Sequence, residues 1–131
     1  IQQIKQQLQH VDGVMVGRAA YHNPALLMKI DAELFNAPSA ITNDFAAIDA
    51  LSAYIEEELA KGERLSNITR HLLGLFAGQA GARLFRQKLT LEATKPHANL
   101  KTVLTAVNEV RQATQRLHQA QEEKLTQAES Q

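Results

Sequence analysis

The sequence contains no cysteine, which excludes a disulfide framework and any thiolate-bound metal. It has no apolar run approaching the ~20 residues of a membrane-spanning helix, and no signal-peptide pattern opens it. HExxH, P-loop and GxGxxG patterns are absent, as is any pair of carboxylates in surroundings that would make one an acid and the other a base. The five histidines are scattered. His10 and His22 flank a short apolar run but lack a third ligand, so no metal is expected. A soluble, cytoplasmic protein without a membrane partner is the expectation that remains. The 131 residues amount to one domain's worth of chain with an ordinary apolar fraction. Ile1 stands where a reading frame would begin with methionine, inside a helical pattern, so a fragment or processed product is expected.

Net charge is also lacking, being zero at neutral pH, but this average conceals an asymmetry. From Ala19 to Ala60 there are seven acids and one base, and from Lys61 to Lys101 eight bases and two acids. The first segment carries minus six and the second plus six. Basic density of this kind is the electrostatic footprint of a protein with a polyanionic partner. The competing arrangement is internal, with the acidic helix folded beside the basic one.

Ile1, Ile4 and Leu8 share one face of an amphipathic helix over Ile1–Gln9. Val14-Met15-Val16 is a short continuous apolar run, as in a strand buried on both faces of a parallel sheet. No later stretch reads as a strand, so this one either has lost its partners or pairs with another molecule, and self-association through Val11–Gly17 is expected. Gly17-Arg18 follows, where backbone N–H groups and a guanidinium suit a phosphate. Asn23 and Pro24 predict a helix start. Ala25–Phe35 then reads as a helix with Leu26, Leu27, Ile30 and Leu34 inward. Helix, strand, Gly-Arg and helix in this order make the last unit of a (β/α)₈ barrel.

The composition of Asn36–Asn43 predicts a loop. Asn43 caps a helix from Asp44 to Lys61 with Phe45, Ile48, Leu51, Ile55 and Leu59 buried, ended by Gly62. Glu56-Glu57-Glu58 reads as a solvated face. Pro96 marks a turn, and Asn99 caps a final helix with a stripe of Leu100, Val103, Leu104, Val107 and Val110. Beyond Leu117 the chain is polar and rich in glutamine, and residues 118–131 are expected to fray.

The densest apolar run is Ser66–Leu91, SNITRHLLGLFAGQAGARLFRQKLTL. It reads as two helices broken at Gly78, the first capped by Ser66 and the second starting near Ala80. On the second, Ala82, Phe85 and Leu89 share one face and Arg83, Arg86, Gln87 and Thr90 the opposite one. Two arginines on an anchored helix suit bidentate binding of phosphate or carboxylate, or form an ordinary solvated basic face. Arg70 and His71 lie on the first helix. Arg70 reads as an RNA contact, and His71 as either an RNA contact or a hydrogen-bonded residue of the helix–helix junction. Tyr21 and Tyr54 read as core or rim residues rather than base-stacking platforms.

ITRHLLGLFAGQAGARLFRQKL resembles the helical domain of the tRNA-dihydrouridine synthases of subfamily A, matching at Ile68–His71, Gly74–Phe76, Gly78, Gly81–Arg83 and Arg86. DGVMVGRAAYHNP resembles the family's last barrel strand. Ala80 replaces a usual proline and Ala19 a usual glutamate. The resemblance covers Val11 to about Val110. It implies a mainly α chain: residues 1–36 as the last β/α unit of a truncated (β/α)₈ TIM barrel, 37–117 as a helical bundle that binds tRNA, and 118–131 as a tail. It implies that Gly17 and Arg18 hold the phosphate of FMN and that Arg83 and Arg86 belong to the tRNA-binding signature; Arg70 and Lys88 are expected to join them as contacts with tRNA rather than DNA. The parent enzyme would reduce a flipped-out D-loop uridine with FMN and NADPH. The catalytic cysteine, the flavin-ring contacts and the other barrel strands would lie outside this chain, which alone would be inactive and bind FMN poorly or not at all.

Two other functions fit the residues. One is a non-catalytic helical interaction module whose basic face meets an acidic protein. The other is the end of a different phosphate-binding flavin barrel with an unrelated appendage.

Overall fold

The computed structural model describes residues 1–130 and is mainly helical. Seven α-helices follow in order among them: α1 (Gln2–Gln7), α2 (Arg18–His22), α3 (Ile30–Leu34), α4 (Asp44–Ala60), α5 (Leu65–Thr69), α6 (Ala82–Glu92) and α7 (Leu100–Glu129), with a 3₁₀ stretch at Pro24–Lys29. None is long and apolar enough to cross a membrane.

The core lies between α4, α6 and α7. Asn43 starts α4, its Oδ1 accepting from the Ala46 N–H at 2.9 Å, as an N-cap should. Ile48 and Ile55 are fully buried on α4, while Phe45, Leu51 and Leu59 pack beside them. Asn99 caps α7 reciprocally: its Oδ1 accepts from the Lys101 N–H at 3.0 Å and its own N–H donates to Thr102 Oγ1 at 3.2 Å. Val103, Ala106, Val107 and Val110 of α7 then meet Ala82, Phe85 and Leu89 of α6. Gly81, at φ +83°, lets the two helices approach: a Cβ there would lie 2.8 Å from Val110 Cα and 3.2 Å from the Glu109 carbonyl oxygen.

The central run departs from two helices broken once. The first helix is only Leu65–Thr69, Arg64 rather than Ser66 holds its N-cap position, and no side chain caps it. Residues 70–81 wind through successive tight turns, with Leu72, Leu75 and Gln79 donating to carbonyls three residues earlier, at 2.9, 3.0 and 2.9 Å. Phe76, Gly78 and Gly81 all have positive φ, which no right-handed helix tolerates. Gly78 therefore sits in the left-handed region as its type suggests, and the second helix begins at Ala82 rather than near Ala80. A phenylalanine at φ +61° is unusual. Its ring is wholly buried, 4.9 Å between centroids from both Phe45 and Phe85. That packing over-determines the backbone.

The first 43 residues bury no side chain fully. The strand expected at Val14–Val16 is not formed: no strand exists among the described residues, and Met15 is 93 % exposed. With no second strand beside it, this backbone has nothing to form a ladder with. The helix expected over Ala25–Phe35 is a 3₁₀ stretch followed by the short α3, Asn23 makes no capping bond, and Leu27 points outward. Few contacts hold this N-terminal unit to the body, the Tyr21 ring against His71 among them. Met28 packs on the core, His22 and Pro24 lie against Gly74, and the Tyr21 hydroxyl donates to the Arg70 carbonyl at 3.5 Å. At the other end, the segment expected to fray stays helical through Glu129, with every described residue from Gln115 exposed. Its Gln, Ala, Glu and Lys are good helix formers even without a face to bury. Gln131 of that tail lies outside the described residues.

Candidate nucleic-acid interface

α6 is fixed on one side by Ala82, Phe85 and Leu89, at most 7 % exposed. This aims Arg83 and Arg86, one turn apart, into solvent. The ion pairs among the described residues leave both without a carboxylate. The acidic helix does not neutralise them. Glu57 and Glu58 of α4 meet Lys61 at its own end, at 3.0 and 2.9 Å. Asp44 is buried and accepts from the Gln79 side chain at 2.6 Å. Of the basic segment, only Lys61 pairs with the acidic one among these residues; Lys88 goes to Glu109 and Lys95 to Glu92.

Lys88 therefore stands apart from the two arginines. It is half-buried in the seam between α6 and α7, its Nζ 3.3 Å from Glu109 Oε1. Glu109 is 21 residues away on another helix, so no local pattern signals this pairing.

Arg70 is exposed at the end of α5 and its Nε donates to His71 Nε2 at 3.2 Å. Close by, Glu63 accepts from the Asn67 side chain and from the Arg64 N–H. The Asn67 bond most of all, with help from the Arg64 N–H and the Arg70 charge, holds the Glu63 carboxyl below its ordinary range. A carboxyl depressed on folding supports the fold above its unfolded pKa, and that support is lost as pH falls through the folded value. In a carboxyl-carbon NMR titration, Asn67→Ala is expected to return Glu63 towards ordinary titration. An unmoved midpoint would refute this account.

Gly17 and Arg18 open α2. Arg18 is exposed, and a Cβ at Gly17 would meet nothing within 4 Å, so the backbone there is open to a ligand. Ala20 and Tyr21 donate back to the Gly17 carbonyl at 3.1 and 3.3 Å, while the Arg18 and Ala19 N–H groups have no backbone acceptor. A guanidinium beside free N–H donors is a donor set that suits a phosphate.

Tyr21 joins Arg70 and His71 from outside the basic segment. Tyr21 is 53 % exposed, bonded to the Arg70 carbonyl and perpendicular to the His71 ring, 5.8 Å away between centroids. It belongs to the rim, as expected, but a rim made with Arg70 and His71. The available signal was Arg18, Tyr21 and His22 at helical spacing.

A family model described as "Dihydrouridine synthase (Dus)" matches residues 1–123. The chain is 47 % identical over 103 residues to a tRNA-dihydrouridine(20/20a) synthase of Yersinia pestis, covering 79 % of this chain and 30 % of that protein. It is 46 % identical over 99 residues to the protein of the same name from Salmonella typhi, covering 76 % and 30 %. A third such protein, from Vibrio vulnificus (strain CMCP6), is 39 % identical over 112 residues, covering 86 % and 34 %. The chain thus spans about a third of the length of these curated relatives.

Proposed function

Because this chain belongs to the dihydrouridine synthase family, we propose that it is the C-terminal part of a cytoplasmic tRNA-dihydrouridine synthase and supplies the grip on tRNA. The whole enzyme would reduce D-loop uridines to 5,6-dihydrouridine. Residues 1–36 would complete a (β/α)₈ barrel, 37–117 would form the tRNA-binding domain, and 118–131 would be a polar tail. A uridine inside folded tRNA must leave its stack to be reduced, which costs free energy that binding elsewhere must offset. That binding is made mainly to phosphates and sugars. The observation that carries the reading is the pair Arg83 and Arg86, exposed on an anchored helix and without a carboxylate partner among the described residues. Arg70 would add a third contact. Lys88 would act at the margin, once drawn from Glu109.

Gly17 and Arg18 would hold the FMN phosphate through the guanidinium and the free N–H groups that open α2. The flavin, reduced by NADPH, would supply the hydride. The chain alone holds neither a cysteine nor a barrel's worth of strands among the described residues, so it would be inactive and retain little FMN.

The test is a salt titration of binding to unmodified tRNA, comparing the chain with Arg83→Ala/Arg86→Ala. The double variant should bind about tenfold more weakly, with a salt slope shallower by about one to two units. Equal binding, or competition by an acidic peptide as strong as by tRNA, would instead make this a protein-facing module.

A further inference from the structure

We propose that Tyr21, Arg70 and His71 form a nucleotide platform, in which the Tyr21 ring stacks on an unpaired base of folded RNA and the free edge of Arg70 takes the adjoining phosphate. The proposal rests on the tRNA reading above and deepens it, by naming single-stranded RNA as what this place recognises.

Arg70 is held through both its side chain and its backbone. Its Nε is occupied by His71 Nε2 at 3.2 Å, and its own carbonyl accepts from the Tyr21 hydroxyl, 49 residues away in sequence. The two terminal nitrogens of the guanidinium make no hydrogen bond and no ion pair among the described residues. Glu63 lies near enough for the Arg70 charge to act on it, yet its carboxylate is engaged by Asn67 and the Arg64 N–H. The result is an oriented fork with an empty edge, and such a fork matches the planar oxygens of a phosphate. Holding it in place beforehand lowers the ordering cost of binding.

Beside the fork stands an aromatic ring. Tyr21 is more than half exposed, and the rings of His22 and His71 stand at 78° and 83° to it, at 6.2 and 5.8 Å between centroids. The two neighbouring rings and the long hydroxyl bond orient the phenol, which is about half exposed. A fixed, exposed aromatic next to an oriented cation is the pairing that proteins use for single-stranded nucleic acid: every base has a face to stack, and every nucleotide has a phosphate. Inside a duplex both faces of every base are covered by its neighbours, so the platform discriminates unpaired from internally paired bases. Arg18, on the same turn of helix as Tyr21 and His22, adds positive charge on that side.

The experiment uses the full chain. It has two tyrosines and no tryptophan, so in a Tyr54→Phe background the intrinsic fluorescence reports Tyr21 alone. Hexauridylate and unmodified tRNA should quench it, and a long RNA duplex, whose free base faces are only those of its two ends, should quench it far less at equal nucleotide concentration. Tyr21→Phe should bind tRNA within twofold of the parent, and Tyr21→Ala about tenfold more weakly. Arg70→Lys should weaken binding several-fold without changing the salt slope, because charge is kept and the fork is lost. Circular dichroism melting of each variant separates binding from folding. Unquenched fluorescence together with undiminished affinity in Tyr21→Ala would overturn the platform and leave Arg83 and Arg86 as the grip. A loss in Tyr21→Phe equal to that in Tyr21→Ala would assign the effect to the hydroxyl and overturn stacking. Absence of tRNA binding by every form would remove the RNA reading and the platform together.

Discussion

Gly81→Ala is expected to cost about 2–5 kcal/mol of folding stability, a large part of the 5–15 kcal/mol that a domain typically has. Two separate effects combine there. The residue sits at φ +83°, where an L side chain costs about 1–2 kcal/mol. The added Cβ would also fall 2.8 Å from Val110 Cα, 3.0 Å from Ala113 Cβ and 3.2 Å from the Glu109 carbonyl oxygen. Two of these three atoms belong to the backbone of α7, which cannot turn aside as a long side chain can. Overpacking of this sort costs about 1–3 kcal/mol. Gly78 provides the internal control. Its φ is +79°, but a Cβ there meets nothing within 4 Å, so Gly78→Ala should lose only the conformational part, about 1–2 kcal/mol. Urea unfolding of the two variants measures the difference, with the midpoint falling and the slope unchanged. Equal losses would mean that α6 and α7 do not depend on Gly81 for their approach.

The same contrast explains which parts of the fold could be read in advance. Asn43 and Asn99 act within three residues of themselves, and both caps are where the sequence implies. The buried faces of α4 and α6 follow from periodicity within one helix, so Ile48, Ile55, Phe85 and Leu89 were legible. The run from Leu72 to Phe76 was not. Apolar residues at 72, 75 and 76 satisfy a helical stripe and a series of three-residue turns equally well, and only the backbone at Phe76 separates them. Val14–Val16 has the composition of a strand, but a strand is made by its neighbours. The basic face divides in the same way. Arg83 and Arg86 face outward because Phe85 and Leu89 face inward, a relation contained within α6. Lys88 is captured by Glu109 and Tyr21 by Arg70, partners 21 and 49 residues distant.

Gly74→Ala should act locally where Gly81→Ala acts globally. Gly74 has no left-handed backbone to protect. At such a position alanine ordinarily stabilises, by about 0.4–1 kcal/mol, through the unfolded chain. Here its Cβ would overlap the His22 carbonyl group, whose carbon lies 2.8 Å away, and the Pro24 ring at 2.8 Å. The N-terminal unit buries no residue fully and is otherwise held by Met28, one long hydrogen bond from Tyr21 and the edge-to-face contact of Tyr21 with His71. Relieving the overlap by lifting this unit costs less than distorting the turns around Leu75 and Phe76, which are buried. Hydrogen exchange across residues 18–34 should therefore rise at least tenfold, equivalent to about 1.4 kcal/mol and within the about 1–3 kcal/mol of such overlaps. Amides of Ile55, Phe85 and Val107 should keep their protection. A uniform loss of protection would make the N-terminal unit part of the cooperative core and refute this ordering of strengths. If the unit lifts as expected, Tyr21 leaves Arg70 and His71, and RNA affinity should fall to the level of Tyr21→Ala although every residue of the platform is still present. Affinity at the Tyr21→Phe level in a variant whose exchange has risen would show that the ring and the fork act independently.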